Sequence, residues 1–251
     1  MKKFAILIAV VMGVICFMPS SALNFFFRQF DVPLAINNGS GTVWSGEGDL
    51  FFSPYSHGAL KSFRILERLK WDVQFSHIFS RGLVLVFSSD QFQESVTLSL
   101  MRKKISLSRF KIFSNAELLE HLGEPFHTIL LQGLVVLDSG GMVFADSTMM
   151  GGLSIHFGLI SSHLVPNVNV LGNYDINLHG DVKGISIDLS SRGDALVLLK
   201  GSGSVDLRHR RVEFRGFAEP TKKAPVAVKK ILQLIGRRIG SRTVLDGKFS
   251  W

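Results

Sequence analysis

Residues 38–48 read Asn38-Gly39-Ser40-Gly41-Thr42-Val43-Trp44-Ser45-Gly46-Glu47-Gly48, with four glycines in the last ten of these positions. Glycine lacks a Cβ, so it permits bulges, turns with positive φ and the close approach of another backbone. Val43 and Trp44, by contrast, favour a pleated surface that is half buried. The stretch therefore predicts a strand with a close neighbour at the beginning of a β-domain.

Glycine clusters also occur in loops that bind phosphate, but the spacing here excludes the two common forms. The P-loop needs Gly-x-x-x-x-Gly-Lys-Ser/Thr, and the dinucleotide fold needs Gly-x-Gly-x-x-Gly at the start of a helix. Residues 38–48 contain neither spacing, and the residues after them continue a β pattern. We interpret this cluster as structural.

The composition favours a glycine-punctuated, aromatic β protein close to a membrane. The 251 residues are 46% hydrophobic and 19% charged, and they include 24 glycines and 21 phenylalanines. This is enough apolar material for one large β-domain or two small ones. A disordered chain would show the opposite balance of apolar and charged residues.

The formal net charge is +8 and the pI is about 9.8, which suits nucleic acid, anionic lipid or an acidic protein as a partner. Much of the excess lies near the C-terminus, at Lys222, Lys223, Lys229, Lys230, Arg237, Arg238 and Arg242. The sequence has no helix-turn-helix, RRM or zinc pattern in which such charge would contact nucleic acid. We therefore expect no nucleic-acid partner.

The N-terminus is either a cleavable signal peptide or a membrane anchor. Lys2 and Lys3 precede an apolar run at 4–18, and Arg28 is the first charge after it. The short run and the small residues at 20–22 favour cleavage, whereas the uncharged continuation through 25–27 favours a span. We divide the chain into this segment, residues 1–27, and a β-rich domain, residues 28–251. If the segment is retained, the preceding lysines place the N-terminus in the cytoplasm and the bulk in the periplasm.

The rest of the chain is a succession of strand and turn patterns, which predicts an antiparallel meander. Alternation is clearest at 183–217, where apolar residues occupy every second position. One face of that sheet is therefore apolar and must be covered or enclose something. This apolar face is a candidate groove, formed by Ile185, Ile187, Leu189, Val205, Leu207, Val212 and Phe214.

Two short helices are expected among these strands. Ser114 and Glu117 have capping-box spacing, and Gly123 and Pro125 would stop the helix that they begin. Residues 226–239 carry apolar side chains at helical spacing and predict an amphipathic basic helix. Its basic face is either a solvated surface or a contact for anionic headgroups or an acidic partner, through Lys229, Lys230, Arg237 and Arg238.

The sequence offers no catalytic or metal-binding motif. Its eight histidines are scattered, Cys16 is the only cysteine, and neither His-Glu-x-x-His nor Gly-x-Ser-x-Gly occurs. We expect no enzymatic activity, no cofactor and no metal.

Gly41-Thr42-Val43-Trp44-Ser45-Gly46, shortly after an apolar N-terminus, resembles the signature of the N subunit family of type II secretion systems. Further similarities follow in the same order: a strand with Trp71, a stretch with Leu171 and Gly172, a run with Gly201 and Gly203, a strand with Gly216, and a basic helix. The resemblance implies a single N-terminal helix in the bacterial inner membrane. It also implies contacts with other inner-membrane secretion subunits.

The predicted fold is thus mainly β: an N-terminal transmembrane helix, then a large, curved, mostly antiparallel sheet, in the form of a meander, a trough or an open barrel, with one or two short helices. The first functional hypothesis is a non-enzymatic accessory component of the type II secretion machine. The alternative is a lipid-binding or lipid-transfer protein that resembles the AsmA-like family, with membrane lipid in the apolar groove.

Overall fold

The computed structural model describes residues 4, 12–53, 62–75, 82–122, 126–146, 148–182, 184–207 and 209–250. The chain forms two compact units, Met1–Gln91 and Phe92–Trp251. The strand pairs described in each unit are antiparallel. The predicted division of the chain after residue 27 stays a prediction.

In the first unit, helical residues 12–16 are followed by one short helix and four strands. These are α1 (Ala22–Gln29), β1 (Leu34–Gly41), β2 (Ser45–Phe52), β3 (Phe63–Gln74) and β4 (Leu83–Ser88). The strands pair in chain order. Along β3 the side chains of Leu69, Trp71 and Val73 are buried and the residues between them are exposed, which is the two-residue period of a strand with one covered face.

Asp49 on β2 joins two irregular positions of the first unit. Asn38 and Arg68 have φ of 53° and 49°, and the register shifts beside each of them. Asp49 accepts hydrogen bonds from the Arg68 backbone amide at 3.1 Å and from the Asn38 side-chain amide at 2.9 Å. These bonds favour the ionised carboxylate and lower the pKa of Asp49.

The second unit contains most of the strands. Its elements are β5 (Val96–Met101), β6 (Lys104–Leu107), β7 (Phe110–Asn115), a 3-10 helix (Ala116–Leu122), α2 (Phe126–Ile129), β8 (Leu131–Ser139), β9 (Met142–Ala145), β10 (Thr148–Ser162), β11 (Gly172–Asp181), β12 (Gly184–Arg192), β13 (Val197–Asp206), β14 (Arg211–Pro220), α3 (Val226–Ile235), β15 (Arg237–Ile239) and β16 (Arg242–Ser250).

Strands β9 to β14 pair in chain order, so the predicted antiparallel meander is present in this unit. The long strand β10 pairs with two different strands along its length: residues 148–151 pair with β9, and residues 154–162 pair with β8. Beyond β14 the sheet continues through β16 to the short strand β15, which lies at its edge.

One face of this sheet carries the apolar core. Val197 on β13 and Ala218 on β14 are buried there, and α3 packs onto them through Val228, Ile231 and Leu232. The helix begins directly after Pro225, whose fixed φ suits a helix start. The apolar side chains of α3, which recur at helical spacing, thus cover one end of the sheet face.

Phe214 lies over three glycines on the same face. A Cβ built on Gly203 or Gly216 would lie 3.0 Å from the Phe214 ring, and one on Gly201 would also meet it. Gly201 pairs with Gly216, and Gly203 pairs with Phe214. The aromatic ring thus covers backbone that carries no side chain, an arrangement that stabilises glycine in strands. We call Gly201, Gly203 and Gly216 the glycine patch.

The structure corrects two helix predictions. The amphipathic helix ends at Ile235 rather than 239, because Gly236 is extended and residues 237–239 pair with β16 as β15. The predicted capping box is absent: Ser114 belongs to β7, and Asn115 instead accepts a bond from the Glu117 amide at 3.4 Å. The helix that follows is a 3-10 helix. Its predicted stop, Gly123 and Pro125, lies outside the described residues.

Within the described residues, no helix has the length and apolar composition needed to cross a bilayer. The predicted anchor, residues 1–27, lies partly outside them, at 1–3 and 5–11. Of the short helices expected in the β-rich domain, the 3-10 helix and α3 are present, and the four-residue helix α2 is an addition in the described part of that domain.

We predict that Gly201→Ala destabilises the second unit. The added methyl would overlap the Phe214 ring and approach the Arg215 carbonyl oxygen at 3.0 Å, so the free energy of unfolding should fall by about 1–3 kcal/mol. Gly152→Ala is the matched control, because its nearest neighbour would be the Leu178 oxygen at 3.5 Å, an ordinary contact. Urea unfolding measures both variants, and an equal effect would contradict the role of the glycine patch.

Candidate functional site

The motif singled out in the sequence forms the connection between β1 and β2. Residues 42–44, here called the motif loop, lie between the two strands rather than in one, which corrects the prediction of a continuous strand. Thr42 closes the turn: its backbone amide donates to the Ser45 carbonyl at 2.9 Å, and its hydroxyl oxygen accepts from the amides of Trp44 and Ser45. Gly41 precedes it with φ of 79°, where a Cβ would be strained.

The motif loop holds the chain that precedes α1. The Trp44 indole N–H donates to the Ile15 carbonyl oxygen at 2.7 Å. The Val43 amide donates to the Met18 oxygen at 3.0 Å, and the Ser20 amide donates to the Gly41 oxygen at 3.1 Å. These three bonds attach residues 15–20 to the β1–β2 connection.

The neighbouring elements add further bonds to this attachment. The Asn24 side chain on α1 donates to the Ile36 carbonyl at 2.8 Å and accepts from the Ile36 amide at 2.7 Å, so it provides a partner for both backbone polar groups of this buried residue. On the other side, the Trp71 indole donates to the Thr42 oxygen at 3.1 Å. The loop is therefore bonded both to the N-terminal segment and to β3.

The motif glycines allow this close packing. A Cβ on Gly46 would lie 2.7 Å from the Trp71 ring, and one on Gly41 would lie 2.5 Å from the Ser45 oxygen. The sequence prediction that these glycines admit a close neighbour is consistent with this geometry. The neighbours are the Trp71 ring and the turn's own backbone.

Large apolar side chains are exposed around the attached segment. Phe17, Phe25 and Phe30 are 82%, 65% and 73% exposed, and Val14 is exposed as well. Such clusters on a protein surface mark contact with another protein or with a membrane. Val14 and Phe17 belong to the apolar run at 4–18, and Phe25 and Phe30 follow it.

The second unit contains an apolar cavity of about 490 Å³ under α3. The sheet contributes most of its walls, and α3 and the 3-10 helix contribute the rest. Its lining residues are Leu119, Ile129, Leu131, Ile155, Phe157, Ile160, Leu171, Tyr174, Ile176, Leu189, Val197, Leu199, Val228, Ile231, Leu232 and Leu245.

Tyr174 carries the one polar side-chain group among these lining residues. Its hydroxyl donates to the Leu171 carbonyl oxygen at 3.2 Å, and burial raises its pKa. With this bond made, the wall offers an entering molecule apolar contacts.

The apolar lining favours an apolar occupant. Hydrocarbon in this space would keep the walls of the cavity out of water, which is favourable in proportion to the apolar area that is covered.

The predicted groove residues extend this cavity along the sheet. Leu189 lines the cavity, and Ile185 is buried. Partly buried positions follow on β12, β13 and β14, at Ile187, Val205, Val212 and Phe214, and Leu207 is partly buried in the turn directly after β13. Strand pairing puts Ile185 opposite Val205, and Val205 opposite Val212, so these residues form rows on one face.

Sequence reasoning missed most of the cavity lining. Leu171 was selected only for its likeness to the family, yet it is buried in the core and lines the cavity. Gly172, beside it, begins β11, and a Cβ there would lie 2.7 Å from that of Ala195. The apolar alternation of β10 and β11 was the available signal for Ile155, Phe157 and Ile176.

The predicted basic contacts are all on the surface. Lys229 and Lys230 are exposed on α3, on the side away from its buried residues. Arg237 and Arg238 are exposed on β15, where the Arg238 Nε donates to the Gly240 oxygen at 2.9 Å. These four residues remain candidates for contact with an anionic surface.

The described residues contain no group of three His, Cys, Asp or Glu side chains placed to hold a metal ion. The most organised polar cluster is a cross-strand network: the His156 Nδ1 lies 2.7 Å from Asp175 Oδ1, and the Arg192 Nε lies 3.0 Å from Asp175 Oδ2. Both carboxylate oxygens thus have partners within the sheet. We interpret this network as a connection between β10, β11 and β12.

Comparison with known families supports the resemblance noted in the sequence. The family model described as type II secretion system (T2SS), protein N, matches residues 33–245. The chain belongs to this family. It is therefore a component of the type II secretion system, and the match includes both the motif loop and the cavity. Comparisons with curated proteins and with solved structures found no match.

We predict that Trp44→Phe loosens the attachment of residues 15–20. The phenyl ring can still pack against Phe75, now 5.2 Å from the indole, but it cannot donate to Ile15. Loss of one hydrogen bond of about 0.5–1.5 kcal/mol should speed hydrogen exchange of the Ser20 and Val43 amides roughly two- to tenfold.

Phe75→Leu is the control for this variant, because it changes the ring contact and keeps the indole bond. Exchange is measured by NMR or mass spectrometry on both proteins. Unchanged exchange in Trp44→Phe, or an equal increase in Phe75→Leu, would contradict the assigned role of the indole.

Proposed function

We propose that this family member is an accessory, non-enzymatic component of the secretion machine, held in the bacterial inner membrane by residues 1–27. Its N-terminus would lie in the cytoplasm and its β units in the periplasm. The observation that carries the proposal is the motif loop, which bonds residues 15–20, at the end of the apolar run, to the first β sheet. Such an attachment would fix the first unit relative to the tether instead of leaving it on a flexible linker.

The exposed aromatic residues support the same arrangement. Phe17 belongs to the attached segment and Phe25 and Phe30 follow it, so in this proposal all three lie near the point where the chain leaves the bilayer. Aromatic side chains are enriched at that depth. Bound by the motif loop, these residues would keep the first unit close to the membrane.

We predict that the protein with residues 1–251 remains with the membrane after alkaline carbonate extraction, and that residues 28–251 alone are released. The reason is that the apolar run supplies the insertion energy in this proposal. Immunoblots of both fractions measure the result. Release of the longer chain would show that the segment is not an anchor.

For partner subunits, we propose the edge strand β15 as the contact. Its three residues are exposed, and an edge strand leaves backbone groups available for pairing. The positive charge of Arg237 and Arg238 would favour an acidic partner. The contact would let the protein support assembly of neighbouring inner-membrane subunits.

We predict that a photo-crosslinking amino acid at Ile239 traps another secretion subunit in cells with an active system. Ile239 is 54% exposed on the edge strand β15. Leu198 is the matched control, since it is 43% exposed but lies on β13, which has a partner strand on each side. Adducts identified by mass spectrometry at Ile239 and not at Leu198 support the proposal, and no adduct at Ile239 would refute it.

A second candidate function is lipid binding, as in the AsmA-like proteins that the late strands resemble. The observation in its favour is the apolar cavity beneath α3, whose lining suits hydrocarbon. The two functions are compatible, because a secretion component in the membrane has lipid within reach.

A further inference from the structure

The cavity under α3 has the size of a site for a single hydrocarbon chain. An engineered apolar cavity of about 150 Å³ accepts one benzene, which has six carbons. By that ratio the 490 Å³ cavity accepts roughly twenty carbons, which is one long acyl chain rather than two. The Tyr174 hydroxyl is already bonded to Leu171, so hydrocarbon leaves no lining side-chain polar group without a partner.

The cavity shares one lining residue with a second, open cavity, which marks the direction in which a bound chain would reach water. Leu245 lines both this cavity and an open one of about 510 Å³ next to Phe214 and Arg237. Phe214 belongs to the partly buried apolar rows that continue from Leu189. A bound chain would therefore meet water near Arg237, at the junction of α3 and β15.

The charges around α3 favour an anionic molecule at this exit. Lys229 and Lys230 are exposed on the outer side of the helix that roofs the cavity, and Arg237 follows the helix. Among the described acids nearby, Glu219 is held by Arg242 at 2.9 Å, which lowers the pKa of Glu219, and Asp246 lines the open cavity with Arg237. Lys229, Lys230 and Arg237 thus place three exposed cations on or directly after the helix that roofs the cavity.

We propose that the cavity binds one acyl chain of an anionic phospholipid, with the phosphate outside, beside Arg237 and the basic face of α3. The helix then acts as a roof with two roles: Val228, Ile231 and Leu232 contact the chain, and its lysines face the membrane from which the lipid comes. This proposal rests on the second candidate function and specifies its ligand and its site.

The test uses the protein of residues 1–251, purified in a detergent that native mass spectrometry can remove, and palmitoyl-lysophosphatidylglycerol as the probe. Leu199→Trp adds a large ring at a position that lines the cavity, and we expect it to reduce bound lipid at least tenfold. Leu198→Trp is the matched control, because the neighbouring side chain points to the opposite face of β13 and is 43% exposed. It should bind like the unmodified protein.

Leu189→Phe, a smaller addition to the same cavity, provides a second variant if Leu199→Trp does not fold, as judged by circular dichroism. If a folded cavity variant and the control both bind lipid normally, the cavity is not the site. Lipid binding would then occur elsewhere on the protein. No binding by the unmodified protein would overturn both the site and the lipid-binding function.

Two further probes test whether the bound acyl chain belongs to an anionic phospholipid, a neutral phospholipid or a free fatty acid. Palmitoyl-lysophosphatidylcholine has the same chain and a neutral headgroup, and free palmitate has the chain without a phosphate. We expect tighter binding of the phosphatidylglycerol form, by about threefold or more, and loss of this preference in the Lys229→Gln/Lys230→Gln variant. Equal binding of the two lysolipids, or stronger binding of palmitate, would overturn the assignment to an anionic phospholipid.

Discussion

The apolar face of the second unit's sheet needs a cover, and the rest of that unit follows from this requirement. Alternate residues of β11 to β14 put their side chains on this face, which water would otherwise contact. Helix α3 covers the end that contains Val197 and Ala218. It is ten residues long, so the cover is partial, and the cavity lies where sheet and helix do not fill the space between them.

Glycine has two distinct roles in the signatures of this chain. At Gly41 and Gly46 it lets a turn and an indole ring approach the backbone closely, which positions the bonds to residues 15–20. In the glycine patch it leaves room for the Phe214 ring on the sheet face. In both places an aromatic side chain occupies the space that glycine leaves, because the ring recovers the apolar contacts that the missing side chain would have made.

The sequence predicted the strands well because their signal is local. Alternation at Ile185, Ile187 and Leu189 depends only on the two-residue period of a strand. The roof of the cavity could not be predicted in this way, because Ile231 and Tyr174 come together through packing between distant elements. The local signal gave a wrong prediction at Ser114. The capping-box spacing is present there, but the pairing of β7 with β8 keeps this residue in the sheet.

The position of α3 relates part of the chain's basic charge to the apolar cavity. As a composition, +8 was equally compatible with nucleic acid, lipid or an acidic protein. In the structure, Lys229 and Lys230 belong to the same helix whose other side contacts the cavity. A surface that attracts these lysines would bring the cavity close to it, because the same helix covers the cavity. Charge and apolar lining are therefore two sides of one helix, which is the pattern of a helix that lies at an anionic membrane surface.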